Sequence, residues 1–79
     1  MKEKILEVLK EKFPGIDFTV SSTLVDDDVI DSFKIIQVVS VLSDNFNIDI
    51  PYEEISGDNF NSIDKITEMV EKSLKNGGV

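Results

Sequence analysis

Fifteen consecutive residues, "SFKIIQVVSVLSDNF" at 32–46, constrain this chain more than any other stretch. On a helical wheel at about 100° per residue, Ile35, Val38, Val39, Leu42 and Phe46 fall in one narrow arc. Phe33, Gln37, Ser40 and Asp44 lie opposite, and Ile36 lies between the two faces. The segment therefore reads as an amphipathic helix of roughly 22 Å with a single core seam. Asp31 or Ser32 can cap its start, and Asp44-Asn45 softens its end.

Two further segments share that period. In residues 2–13, Ile5, Leu6, Val8, Leu9 and Phe13 share an arc, and Pro14-Gly15 stops the helix. In residues 62–75, Ile63, Ile66, Val70 and Leu74 line one face with Met69 beside them. Asn61 or Ser62 can cap that helix, Asp64 suits its first turn, and Lys72 and Lys75 suit its negative end. "PYEEI" after Pro51 reads as a short turn or helix, and "SGDN" as a break. "NIDI" alternates at a strand's period, but a lone strand of that length has no partner. The fold expected is all-α: a small four-helix bundle, three main helices and one short one, with a long first loop. One domain spans residues 1–79, with 76–79 fraying.

The loop at 16–31 is longer than most structureless connections, and such loops are usually functional. Ile16, Phe18, Leu24, Val25 and Ile30 can pin it to the core. It carries "DDDVIDSF", four aspartates around one serine. A calcium loop fails on spacing. Counted from Asp26, Asp27 or Asp28, the sixth position is never Gly, and the twelfth is Gln37, Val38 or Val39 rather than Glu. A solvated acidic loop remains, as does an acidic patch that steers basic partners.

Composition removes much chemistry. Cysteine and histidine are absent, so there is no disulfide, no zinc site of the usual kind and no Ser-His or Cys-His pair. The chain must fold by packing alone, and an autonomous enzyme is not expected. Sixteen acidic against eight basic residues give a net charge of −8. That charge repels nucleic acid and anionic membrane, favours partners with basic surfaces and favours a monomer. No apolar run is long enough to span a bilayer and "MKEKILEVLK" lacks a signal-peptide core, so a cytoplasmic protein without membrane insertion is expected.

Ser32 has two readings. As an N-cap it is purely structural. As a hydroxyl at a helix start, beside unpaired backbone N–H groups, it can bear a phosphodiester with little strain. Phe33 either folds under the loop or stands exposed as a docking anchor.

Asp31-Ser32 followed by a large apolar residue, then an amphipathic helix, then Phe46-x-Ile48-x-Ile50-Pro51 and an apolar last helix, form a recognisable set. From about residue 3 to 75 the chain resembles the acyl carrier proteins and their relatives, the peptidyl and D-alanyl carrier proteins. The resemblance implies that Ser32 is the attachment point for 4′-phosphopantetheine, moved from coenzyme A by a phosphopantetheinyl transferase. It implies that Asp31 helps bind magnesium in that complex only. The imported thiol would hold acyl or aminoacyl groups as thioesters. The chain would be a tethered substrate rather than a catalyst. Phe33, Ile36, Gln37, Ser40 and Asp44 would form the face read by a loading ligase and by downstream transferases with basic docking surfaces.

The departures are informative. Phe33 replaces the family's usual Leu or Met. Lys34, Gln37, Ser40, Ser43 and Asp44 stand where fatty-acid carriers show several glutamates. "LVDDDVIDS" is closer to the Gly-Ile-Leu-Asp-Ser of D-alanyl and peptidyl carriers, with Asp28 in the glycine's place. Asp tolerates the left-handed conformation better than most residues, so the turn can survive. The pattern points to a specialised discrete carrier outside core lipid synthesis. Fatty acyl, polyketide, amino acid and D-alanine cargoes all stay open. The alternatives are an unmodified helical interaction module of the same fold and a small acidic inhibitor or chaperone.

Overall fold

A computed structural model describes residues 1–77, with the side chains of 76 and 77 excepted. Four α-helices follow in order: α1 (Lys2–Lys12), α2 (Ser32–Phe46), α3 (Gly57–Phe60) and α4 (Ile63–Gly77). A single 3₁₀ turn, Tyr52–Glu54, precedes α3. Among the described residues there is no strand, and the fold is the small all-α bundle that the periodicity predicts. It measures 36 × 24 × 19 Å. Among the described residues no helix is long and apolar enough to cross a membrane.

The helical stripes meet in one core. Ile5 and Leu9 of α1, Ile35, Val38 and Leu42 of α2, and Ile63, Ile66, Met69 and Val70 of α4 are buried together. Each fully buried aliphatic side chain contributes about 1.5–3 kcal/mol over its exposed state. Phe18, Leu24 and Ile30 pin the loop into the same core, and Ile50 and Phe60 do so for the second connection. The loop is therefore ordered by packing despite its lack of regular structure. At its near end Phe13 and Phe18 meet edge to face, 6.1 Å between centroids. The Lys34 ammonium sits 5.3 Å over the Phe13 ring, so α1's C-terminal end is held to α2.

Helix α2 ends through Asn47, which adopts the left-handed conformation (φ 52°, ψ 49°). The Ser43 carbonyl accepts from the N–H groups of Asn47 and Ile48, satisfying an end carbonyl that has no partner within the helix.

Two boundaries differ from expectation. "SGDN" is not a break: Gly57 to Phe60 form α3. Four residues carry no periodicity to read, and the driving force is the burial of Phe60. The Asn59 amide also donates to the Glu54 carbonyl at 2.7 Å, closing the turn before the helix. Gly57 is needed for space rather than for dihedral freedom. A Cβ built there meets Val25 Cγ1 at 3.3 Å, so α3 rests its backbone against the long loop. Helix α4 runs on to Gly77, two residues past the expected 75, and the rest of the expected fraying tail (78 and 79) lies outside the described residues.

Candidate functional site

The site is built by a loop that knots itself before α2 begins. Leu24 is fully buried, and its carbonyl accepts from the N–H groups of both Val29 (2.9 Å) and Ile30 (3.2 Å). The reversal between them passes through Asp28, whose φ is 60°. The left-handed turn expected for an Asp in a glycine position is therefore formed. Each of the other three aspartates has its own structural use. The Asp27 carboxylate accepts from the hydroxyls of Thr23 (2.7 Å) and Ser21 (3.1 Å). Asp26 accepts from the Asn61 amide at 3.3 Å. Asp31 caps α2. Among the described residues no cluster of three acidic side chains is placed to hold a metal ion.

The cap of α2 is Asp31 and not Ser32. Asp31 is extended (φ −106°, ψ −177°), and its Oδ1 accepts from the Lys34 N–H at 2.8 Å. Its carbonyl accepts the first intrahelical bond, from the Ile35 N–H at 2.9 Å. The structural duty thus falls on Asp31. Ser32 is the first helical residue and is exposed. The N–H groups of Ser32 and Phe33 precede that first bond and point out of the helix start, where an anion is favoured.

Phe33 and Ile36 stand on the outer face of α2, 68% and 63% exposed. Phe33 does not fold under the loop. Ser40 and Asp44 continue the same strip, and Asp44 is its one charge.

Gln37 is a correction. The wheel sets it opposite the core, but the structure turns it into a flank with Lys34 and Val41, all three half-buried. Its Oε1 is shut from solvent and has no hydrogen-bond partner. The reason is a rotated seam. Burial centres on Val38 and Leu42 and leaves Val39 only partly covered, so the far edge of the wheel moves under cover. Gln37 is not part of the open strip.

Asn61 is the residue that sequence reasoning missed. Its Oδ1 accepts from the N–H groups of Val25 (2.9 Å) and Asp26 (3.2 Å). Its carbonyl accepts from the Leu24 N–H at 2.7 Å. Three successive backbone donors of the loop are met by one residue at the threshold of α4. The cap of α4 is Ser62, whose Oγ accepts from the Lys65 N–H at 3.1 Å. The available signal was surplus: two good capping residues stand before one helix, which leaves one for another task.

Titration at the periphery is modest. The Lys72 ammonium, hydrogen-bonded to Glu54 at 2.6 Å, holds that carboxyl below its ordinary range, and Glu54 in turn raises Lys72. The Thr19 hydroxyl, with its N–H, lowers Asp17.

The chain is 28% identical over 74 residues to D-alanyl carrier proteins from two strains of Lactobacillus delbrueckii subsp. bulgaricus, covering 91% of this chain and 91% of each relative. It is 28% identical over 71 residues to a D-alanyl carrier protein of Streptococcus sanguinis, covering 89% of this chain and 90% of that one. No protein-family model and no solved structure matches.

Proposed function

Because the chain is carrier-protein-like along nine-tenths of its length, we propose that it carries acyl or aminoacyl groups on a 4′-phosphopantetheine arm esterified to Ser32. The observation that supports this most is the division of labour at the α2 start. Asp31 supplies the cap, so the Ser32 hydroxyl is spare, exposed and set against two helix-terminal N–H groups. The residues present fit a phosphodiester. The N–H groups of Ser32 and Phe33 favour its negative charge, and Asp31, already bonded to Lys34, keeps the helix start rigid. Once attached, the group supplies a thiol that a chain without cysteine lacks, and on it the cargo rides as a thioester.

In the transferase complex, Asp31 is the carboxylate that helps hold magnesium. Its Oδ1 is engaged by the Lys34 N–H, and Asp31 would supply its remaining carboxylate charge to the ion there. Phe33, Ile36, Ser40 and Asp44 form the strip that partners read, and Gln37 stays beneath its edge. The partners are a loading ligase and a downstream transferase whose basic surfaces suit a net charge of −8. The protein is a substrate of these enzymes rather than a catalyst, and it acts as a cytoplasmic monomer. The relatives' name makes an aminoacyl group, D-alanine, the first cargo to test, which fits a specialised carrier better than the main fatty-acid one.

The test is intact mass. Incubation with coenzyme A, magnesium and a broad-specificity phosphopantetheinyl transferase adds one phosphopantetheine to the wild type and none to Ser32→Ala. No gain with several such transferases defeats the carrier reading and leaves the exposed Phe33 strip of an unmodified interaction module.

A further inference from the structure

We propose that Asn61, which lies 29 positions after Ser32 in the chain, is a positioning residue for it. The inference rests on the carrier reading above. Two tiers of hydrogen bonds and a short length of backbone connect the two. Asn61 holds the N–H groups of Leu24, Val25 and Asp26 through its own carbonyl and Oδ1. The Leu24 carbonyl then holds Val29 and Ile30, whose N–H groups close the reversal through Asp28. Ile30 is buried, and the next residue is the Asp31 cap that sets Ser32 at the first helical position. With Ile30 fixed on one side and the Lys34 N–H bonded to Asp31 on the other, the backbone that presents the hydroxyl has little freedom.

The identity of Asn61 matters as well as its acceptor oxygen. Its Nδ2 donates to Asp26 Oδ2 at 3.3 Å. An aspartate at 61 keeps acceptors for the Val25 and Asp26 N–H groups but sets two carboxylates against each other. Asparagine is thus the residue that meets backbone donors and tolerates the acidic loop together. Exchanging the pair, with Asn61→Asp and Asp26→Asn, restores one amide and one carboxylate in the opposite sense.

The experiment compares Asn61→Ala, Asn61→Asp and the double exchange with Ser62→Ala, which removes the adjacent cap without touching the loop. Two readouts are needed: kcat and KM of transferase loading with coenzyme A, and amide hydrogen exchange of the unloaded protein. Asn61→Ala is expected to lower loading kcat about tenfold, the scale of a lost hydrogen bond, with KM within about twofold because the Phe33 strip is intact. Its exchange rises at Val25, Asp26, Ile30 and Lys34. Ser62→Ala raises exchange at Lys65 and loads like wild type. Asn61→Asp is slow, and the double exchange recovers kcat to within about threefold of wild type, as expected for directly coupled residues. The proposal is overturned if Asn61→Ala loads with wild-type kcat, if its exchange changes stop at Asp26 and spare Lys34, or if the double exchange stays as slow as Asn61→Asp. A wild type that no transferase loads defeats the carrier reading instead, and exchange at Lys34 still decides whether Asn61 sets the α2 start.

Discussion

Two helix starts in this protein carry nearly the same dipeptide and use it in opposite ways. At α2 the pair is Asp31-Ser32: the acid caps and the serine is left over. At α4 the pair is Asn61-Ser62: the serine caps and the amide is left over. The difference is one of register. At α2 the helix begins with the serine itself, whereas at α4 it begins one residue after it, at Ile63. A capping oxygen must come from the residue before the first helical one, so a shift of one position decides which side chain is free. The spare serine faces solvent, and the spare asparagine faces the loop that leads to the other start. Residue type alone does not reveal a spare hydroxyl. Its position relative to the cap does.

The largest expected effect comes from removing what the two starts share. Leu24 is the buried knot of the loop between them, and Leu24→Ala is expected to cost about 2–5 kcal/mol in urea unfolding. The exchange protection of Lys34 should fall with it. If Lys34 keeps its protection, the two starts are independent.

Next come the caps. Asp31→Ala and Ser62→Ala should each cost about 0.5–2 kcal/mol, the usual range for a lost N-cap. The leftover serine behaves otherwise. Ser32→Ala should stay within about 0.5 kcal/mol of wild type while abolishing transferase loading. A Ser32→Ala loss as large as that of Ser62→Ala breaks the comparison. Phe33→Ala is likewise expected to stay within about 0.5 kcal/mol, since its ring is mostly in water, while partner turnover weakens. A large destabilisation shows that the ring is packed after all.

The smallest effect separates the two ends by pH. On the α4 side, the hydrogen bond from Lys72 lowers Glu54 in the folded protein below its ordinary 4.5. A carboxyl whose folded value is depressed contributes stability that is fully present above the unfolded value. That contribution disappears as the pH falls through the folded value. Lys72 is exposed and Glu54 only partly covered, so the term is small and screened by salt. Glu54→Gln should therefore be slightly less stable than wild type at pH 7, with the gap closing as the pH falls through Glu54's lowered folded value, in matched urea midpoints. A gap that persists in acid assigns the effect to packing instead.

Much of this is legible in the sequence. The extent of α2 follows from its apolar period and from the Asp31-Ser32 pair at its start, whereas the end lies at Asn47, beyond the Asp44-Asn45 pair that the sequence marks. The turn at Asp28 follows from how few residue types tolerate positive φ. Helix α3 was not legible, because four residues show no period and Gly57 reads as punctuation when its purpose is clearance. Gln37 was misplaced because a wheel fixes angles between residues but not where the seam centres. Asn61 was hidden because its partners lie 35 and 36 positions away, and a chain read locally shows only the nearest helix to cap.

The tight approach of α3 to the loop has a consequence for how such sequences can diverge. Alanine at 57 would press on Val25 Cγ1 at 3.3 Å, and with the Val25 N–H held by Asn61 the yielding falls to the valine side chain. Drift at one position is therefore conditional on the other. A side chain at 57 becomes tolerable in lineages that first trim residue 25, and these two sites should vary as a pair among descendants that keep this architecture.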